Sequence, residues 1–276
     1  MRIGFHVSII GSIDRSIDRA KELGCTTFQI FTRNPRSWTS REIRQVEADT
    51  FKAKLSSSGI EPVFVHMPYL INLAGTEVGT YRRSIYSLRE ELSRCKLLKI
   101  HFIVTHLGSH LGSGKKRGQR RVAKALRTVL NDSDETIILL ENGSGSGNQV
   151  GSHFEEIRGI FEEVDSQRIG FCFDTCHAFA SGYELRTGDG LGETLDEIDR
   201  TIGLDRVWLV HLNDSAGSQS SGVDRHEHIG LGFIGEEGFR LILHSKISSK
   251  PMVMETPVDD RRSDKENMRK ALELAV

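Results

Sequence analysis

Apolar runs rich in Val, Ile and Phe recur along this chain, and six of them end on a residue able to hold a metal ion. They span 62–66, 102–106, 136–141, 169–174, 207–211 and 251–255, and close on His66, His106, Glu141, Asp174, His211 and Glu255. Short continuous runs of this kind read as strands buried on both faces, the habit of parallel sheets. One imidazole or carboxylate at a strand end has an ordinary reading as a hydrogen-bonded core residue or a salt-bridge partner. Six at the same end of six strands point to one metal site at the carboxyl-terminal face of a parallel barrel.

Two further runs, 3–7 and 26–31, bring the strand candidates to eight. Helical periodicity fills the intervals. Ile13, Ile17, Ala20 and Leu23 recur at one-turn spacing and stop at Gly24, a helix-ending residue. Ile85, Leu88, Leu92, Cys95 and Leu98 repeat the pattern, and similar stripes follow near Leu126, Ile157 and Leu195. Strand followed by helix about eight times predicts an α/β fold, a single (β/α)8 TIM barrel over residues 1–276. The stretches 142–151, 175–190 and 213–235 read as irregular loops that follow strands, and so lie at the same mouth.

No apolar run approaches the roughly 18 residues of a membrane span, and the first residues lack signal-peptide anatomy, so a cytoplasmic protein with no membrane partner is expected. Cys25, Cys95, Cys172 and Cys176 are too scattered for a disulfide scaffold and read as small buried residues. The formal charge of −1 argues weakly against a nucleic-acid partner.

Within the loops, His177, Asp224 and His226 extend the set to nine candidate ligands. Five histidines and four carboxylates suit about three ions, with one carboxylate bridging. Zinc, manganese and iron(II) all accept such donors. His177 lies three residues after Asp174, an offset that can aim the two at neighbouring ions. Asp224 and His226 are two apart, so in an extended segment they share a face and can grip one ion. Of the other six histidines, His110 and His228 lie near the cluster in sequence and are candidates for orienting ligands. His6, His101, His153 and His244 default to core or surface.

The segments around these residues, FTRNPRSW, HMPYLINLA, THLGSHLGSG, ENGSGSGNQVG, FCFDTCHAFASGYELRT, HLNDSAGSQSSGVDRHEHIGLGFIG and METP, span nearly the whole chain. In their order and content they resemble the endonuclease IV family of apurinic/apyrimidinic (AP) endonucleases. The resemblance implies a barrel carrying three zinc ions and a base-excision-repair nuclease that acts on double-stranded DNA. Such an enzyme cuts 5′ to an abasic site, leaves a 3′-hydroxyl and a 5′-deoxyribose phosphate, and uses a metal-bridging water or hydroxide as nucleophile. Carried over by motif, His66 and His106 bind the first zinc, and Glu141 bridges the first and second and orients the attacking water. Asp174, His211 and Glu255 complete the second zinc, and His177, Asp224 and His226 hold the third. Arg36, Tyr69 and Leu70 correspond to the residues that wedge into DNA, with Trp38 and Asn72 as weaker candidates for supporting them.

Three divalent ions would add +6 to the formal −1, giving about +5 if the histidine ligands stay neutral. The basic run Lys115, Lys116, Arg117, Arg120 and Arg121 reads equally as a solvated helix start and as a contact for the DNA backbone. A sugar isomerase or epimerase on the same barrel is the alternative, since this fold hosts many chemistries. The third ligand set and the wedge residues have no evident purpose there. A catalytically dead lesion binder would have lost ligands that this chain retains. Nothing in the sequence demands a dimer, and a monomer is expected.

Overall fold

Alternation along a strand decides which way each side chain points, and here it builds both the core and the site. The protein, seen as a computed structural model, is described at residues 1–131 and 135–276. Its strands are β1 (Ile3–Phe5), β2 (Phe28–Ile30), β3 (Val63–His66), β4 (Phe102–Thr105), β5 (Ile137–Glu141), β6 (Ile169–Asp174), β7 (Val207–His211), the short β8 (Asp214–Ser215) and β9 (His226–Glu227), and β10 (Met252–Met254). All but β8 and β9 form one parallel sheet in the order β1-β10-β7-β6-β5-β4-β3-β2. A parallel bridge between His6 and Gln29 joins its two ends, so the sheet closes into the predicted barrel. β8 and β9 pair antiparallel as a small ribbon beyond the mouth.

Helices α1 (Arg15–Glu22), α2 (Gln45–Ser56), α3 (Val78–Leu98), α4 (Lys115–Leu130), α5 (Phe154–Val164), α6 (Thr175–Ser181), α7 (Gly188–Thr201), α8 (Gly235–Leu243) and α9 (Asp264–Leu274) surround the sheet. α1 ends as the sequence predicts, just before Gly24, whose φ of 75° suits glycine. The expected strands appear in every case, most of them shorter by one to three residues. The stretch 175–190 departs from the expectation of an irregular loop. It opens with α6 because the Asp174 side chain caps that helix, accepting from the His177 amide at 2.7 Å.

Inside the barrel, Phe64, Val104, Leu139, Cys172, Leu209 and Val253 form a buried apolar layer, with Phe102 and Ile137 packed beneath it. At the amino-terminal end the Trp208 ring lies 5.3 Å from that of Phe102. Gly170 makes room for it: a Cβ there would meet Trp208 Cδ1 at 2.6 Å and Leu139 Cδ2 at 2.8 Å. The larger core lies between sheet and helices, where Phe28, Phe51, Phe154, Phe171, Phe173 and Phe239 are fully buried. Burying a side chain of that size contributes about 1.5–3 kcal/mol each relative to exposure.

Candidate metal centre

Two residues beyond each member of the inner layer stands a candidate ligand: His66 after Phe64, His106 after Val104, Glu141 after Leu139, Asp174 after Cys172, His211 after Leu209 and Glu255 after Val253. The period of two keeps them pointing inward, now at the mouth. Three groups form there, each with ligand atoms within 4.8 Å of one another: His66, His106 and Glu141; Glu141, Asp174, His211 and Glu255; and Asp174, His177 and His226.

Glu141 stands between the first two groups. Its Oε2 lies 3.0 Å from His66 Nε2 and 3.4 Å from His106 Nδ1, while Oε1 lies 3.1 Å from His211 Nδ1 and 3.3 Å from His177 Nδ1. Asp174 stands between the second and third. Its Oδ2 is 3.7 Å from both His211 Nδ1 and His226 Nε2, and its Oδ1 is 3.6 Å from His177 Nδ1. The offset of three residues therefore brings Asp174 and His177 into one group. Asp224, half-exposed on the following loop, reaches His177 Nε2 at 2.9 Å from the open side.

The partners of the imidazoles fix which nitrogen faces the cluster. The Met67 carbonyl accepts from His66 Nδ1 at 2.7 Å, Asn142 O from His177 Nδ1 at 3.0 Å, and Glu255 O from His226 Nδ1 at 3.1 Å. Each of these rings then presents an unprotonated Nε2 when neutral. His211 Nδ1 lies 3.1–3.7 Å from oxygens of Glu141, Glu255 and Asp174 at once. Lone pairs from three carboxylates and an imidazole converge here, away from solvent, an arrangement that a divalent cation balances. Nitrogen and oxygen donors without thiolate suit zinc, manganese or iron(II).

The electrostatics follow the crowding. Burial alone would raise the Glu141 carboxyl, but His106 and His211 hold it well below the usual carboxylate range. Glu255 is likewise held down against its burial, chiefly by His211. Burial would lower His177 and His211, yet Asp174 and Asp224 hold the first, and Glu255 and Glu141 the second, well above the ordinary imidazole value. His106 goes the other way, its burial outweighing the pull of Glu141.

Beside the cluster opens a cavity of about 410 Å3, lined by Tyr69, Leu70, His106, Glu141 and Asp224 among others. Tyr69 is 58% exposed. Its amide donates to the Pro35 carbonyl at 3.0 Å, which sets the Tyr69 turn beside exposed Arg36. The loop carrying Arg36 is anchored by a buried Arg33–Glu91 ion pair, and Thr32 donates to the same carboxylate. Asn72 faces inward: its Oδ1 accepts from the amides of Ala74, Gly75 and Ser109, tying two loops together. Trp38 stacks under Arg83. In the basic run, Lys115 pairs with Glu156, and Arg121 donates to Gly75 O and lies over Tyr81, so these two serve packing.

Two expectations need correction. His110 accepts from the Gly114 amide, and His228 bonds Asp259 and Asn267. Neither shows a hydrogen bond to a candidate ligand: His110 orders its own loop, while His228 ties its segment to Asp259 and to Asn267 on α9. His6, assigned above to core or surface, stands 3.2 Å from Glu255 Oε1. Sequence reading also passed over Gln29, Asn142 and Asn213. Asn142 Oδ1 accepts from the Asp174 amide, and Asn213 Nδ2 donates to Asp174 Oδ2 at 2.7 Å. The available signal was a polar residue inside an apolar run, as in TTFQIF, or within two residues of a ligand, as in HLN and EN.

Comparison with known proteins places this architecture. The family described as "Xylose isomerase-like TIM barrel" matches residues 17–275. The chain is 50% identical over 277 residues to the "Probable endonuclease 4" of Methanoculleus marisnigri, covering 99% of this chain and 98% of that protein. It is 49% identical to the protein of the same name from Cenarchaeum symbiosum, over the full length of both. Among solved structures, endonuclease IV from Thermus thermophilus superposes with a TM-score of 0.86 at 37% identity, covering 99% of each chain. D-psicose 3-epimerase superposes at 0.68 with 16% identity, over 100% of this chain and 96% of that one, a likeness of fold alone. With half of its residues identical to such relatives from end to end, the chain belongs to the endonuclease IV family.

Proposed function

We propose that this protein is a metal-dependent AP endonuclease that hydrolyses the phosphodiester 5′ to an abasic site in double-stranded DNA, leaving a 3′-hydroxyl and a 5′-deoxyribose phosphate. The observation that carries the reading is the span of Glu141 between two donor groups, with Asp174 between the second and a third. In this reading His66, His106 and Glu141 hold one ion, and Glu141, Asp174, His211 and Glu255 a second. His177, Asp224 and His226 hold the third, with Asp174 close by. Bound zinc, or manganese or iron(II), supplies Lewis acidity that lowers the pKa of water and offsets charge on the phosphoryl group.

The chain's own residues set the geometry. Glu141, with an oxygen toward each of two groups, orients the attacking water. His106, with a side chain 33% exposed, and Asp224, at 40%, face the cavity where the phosphodiester lies. Tyr69 and Leu70 enter the gap left by the missing base, where unstacking costs least, and Arg36 beside them meets the backbone. The barrel is read as a single domain over residues 1–276, since its circuit begins at Ile3 and its last helix ends at Leu274. It is read as acting as a monomer.

The test is a labelled duplex with one abasic-site analogue, incubated beside an intact duplex. Incision immediately 5′ to the lesion, with a 3′-hydroxyl on the fragment and little action on intact DNA, is expected. Protein shown to carry its metals yet unable to cut the lesion would overturn the reading.

A further inference from the structure

The four imidazoles whose partners are described above are held in two ways. His66, His177 and His226 are oriented by backbone carbonyls. His211 is held instead by a side chain: Gln29 Oε1 lies 3.0 Å from His211 Nε2. The other end of the same amide, Gln29 Nε2, lies 2.8 Å from Glu255 Oε1 and 2.9 Å from His6 Nδ1. Gln29 is fully buried on β2, at the bridge that closes the barrel.

Which way the amide points follows from chemistry. A carboxylate only accepts hydrogen bonds, so the NH2 group must face Glu255. Its oxygen then faces His211, and an oxygen can only accept, so His211 carries its proton on Nε2. That leaves the His211 Nδ1 lone pair aimed at Glu141, Asp174 and Glu255. The second hydrogen of the amide goes to His6 Nδ1, which makes His6 an acceptor there. We infer that Gln29 is the positioning residue of the second metal site, fixing the His211 tautomer and the Glu255 rotamer together. The inference rests on the reading of His211 and Glu255 as metal ligands. Gln29 touches neither the substrate cavity nor the reacting atoms; it acts through those two residues.

Gln29→Met keeps the length and removes both polar ends, leaving the His211 Nε2 proton without its acceptor. Gln29→Glu keeps the acceptor for His211 but sets a carboxylate against Glu255. Both variants and His211→Ala are to be compared with the parent by zinc competition against a chromophoric chelator. The metal-free proteins are to be compared by circular dichroism and by imidazole nitrogen NMR. Loss of an outer partner of a metal ligand typically costs about 10–100-fold in affinity. Zinc binding at one of the sites is therefore expected to weaken by that factor in Gln29→Met. At a pH alkaline enough to leave His211 neutral, it should be a single Nε2–H tautomer in the parent and a mixture in Gln29→Met. Gln29→Glu should keep the tautomer yet bind zinc more weakly, which separates the role of the amide from loss of fold. If His211→Ala weakens one zinc site while Gln29→Met binds as the parent does, the positioning role is wrong and the metal reading stands. If His211→Ala leaves zinc binding unchanged, the metal reading falls and takes this inference with it.

Discussion

The two ends of the barrel interior are built from the same strands and could hardly differ more. At the middle and base, Phe64, Val104, Leu139, Cys172, Leu209 and Val253 pack on Phe102 and Ile137, with Trp208 across the end. Two residues further along the same strands, every one of those positions becomes histidine or a carboxylate. The apolar layer keeps water from the ligands from below, so their charges interact strongly. It also locks the strand ends, so the ligands converge without a cost of ordering at the moment of binding. The mouth is chemically demanding because the base is inert.

Breaking the mouth should abolish function and spare the fold. Glu141→Gln is expected to lower incision of an abasic duplex by more than about 100-fold, since even outer partners of metal ligands cost about 10–100-fold. Circular dichroism should be unchanged. A variant that cuts normally with its metal content confirmed would remove Glu141 from the bridging role.

Breaking the base should do the reverse. Leu139→Ala is expected to destabilise the protein by about 2–5 kcal/mol, measured by denaturant unfolding, because it opens a cavity in a closed layer. The protein that stays folded should keep its metal stoichiometry. Loss of metal without loss of stability would show that the layer does not insulate the site as described.

Tyr69→Ala sharpens the comparison at the rim of the mouth. Aromatic stacking on nucleic acid is worth about 1–3 kcal/mol, so abasic-duplex affinity should drop by roughly tenfold, read by fluorescence anisotropy. Stability should change by less than about 0.5 kcal/mol, as for other exposed positions. Equal affinity for the lesion in the variant would make Tyr69 ordinary surface.

The smallest effect is on pH dependence. In the metal-free protein His177 and His211 are held above the ordinary value, so their contribution is full below about pH 6.5 and fades as pH rises. Glu141, Glu255 and Asp224 are held low, so theirs is present above about pH 4.5 and fades as pH falls. Metal-free protein should thus lose a few degrees of melting temperature between pH 6 and pH 8. Zinc requires deprotonated ligands, so the gain in melting temperature on adding zinc should widen over that interval. A gap that narrows would contradict the ionised state assigned to these groups.

The ligand-bearing strand ends were legible in the sequence because burial on both faces leaves a continuous apolar run, and a polar terminus interrupts it visibly. The run 3–7 hid His6, since Val7 follows it and the run does not end on the histidine. Gln29 was hidden in the same way inside 26–31. α6 was misjudged because its start depends on a cap, and Asp174 had already been read as a ligand only.

Sequence alone determined the repeating strand and helix, the eight-strand barrel, the nine candidate ligands and the family, because periodicity and motif order are local and survive in one dimension. Tertiary structure alone decided which ligands share a group, which nitrogen of each histidine faces inward, and that Gln29 joins His211 to Glu255 across 182 and 226 residues of chain. Those facts depend on barrel closure and on partners brought together from distant strands, and no local pattern encodes a distance between side chains so far apart in the chain.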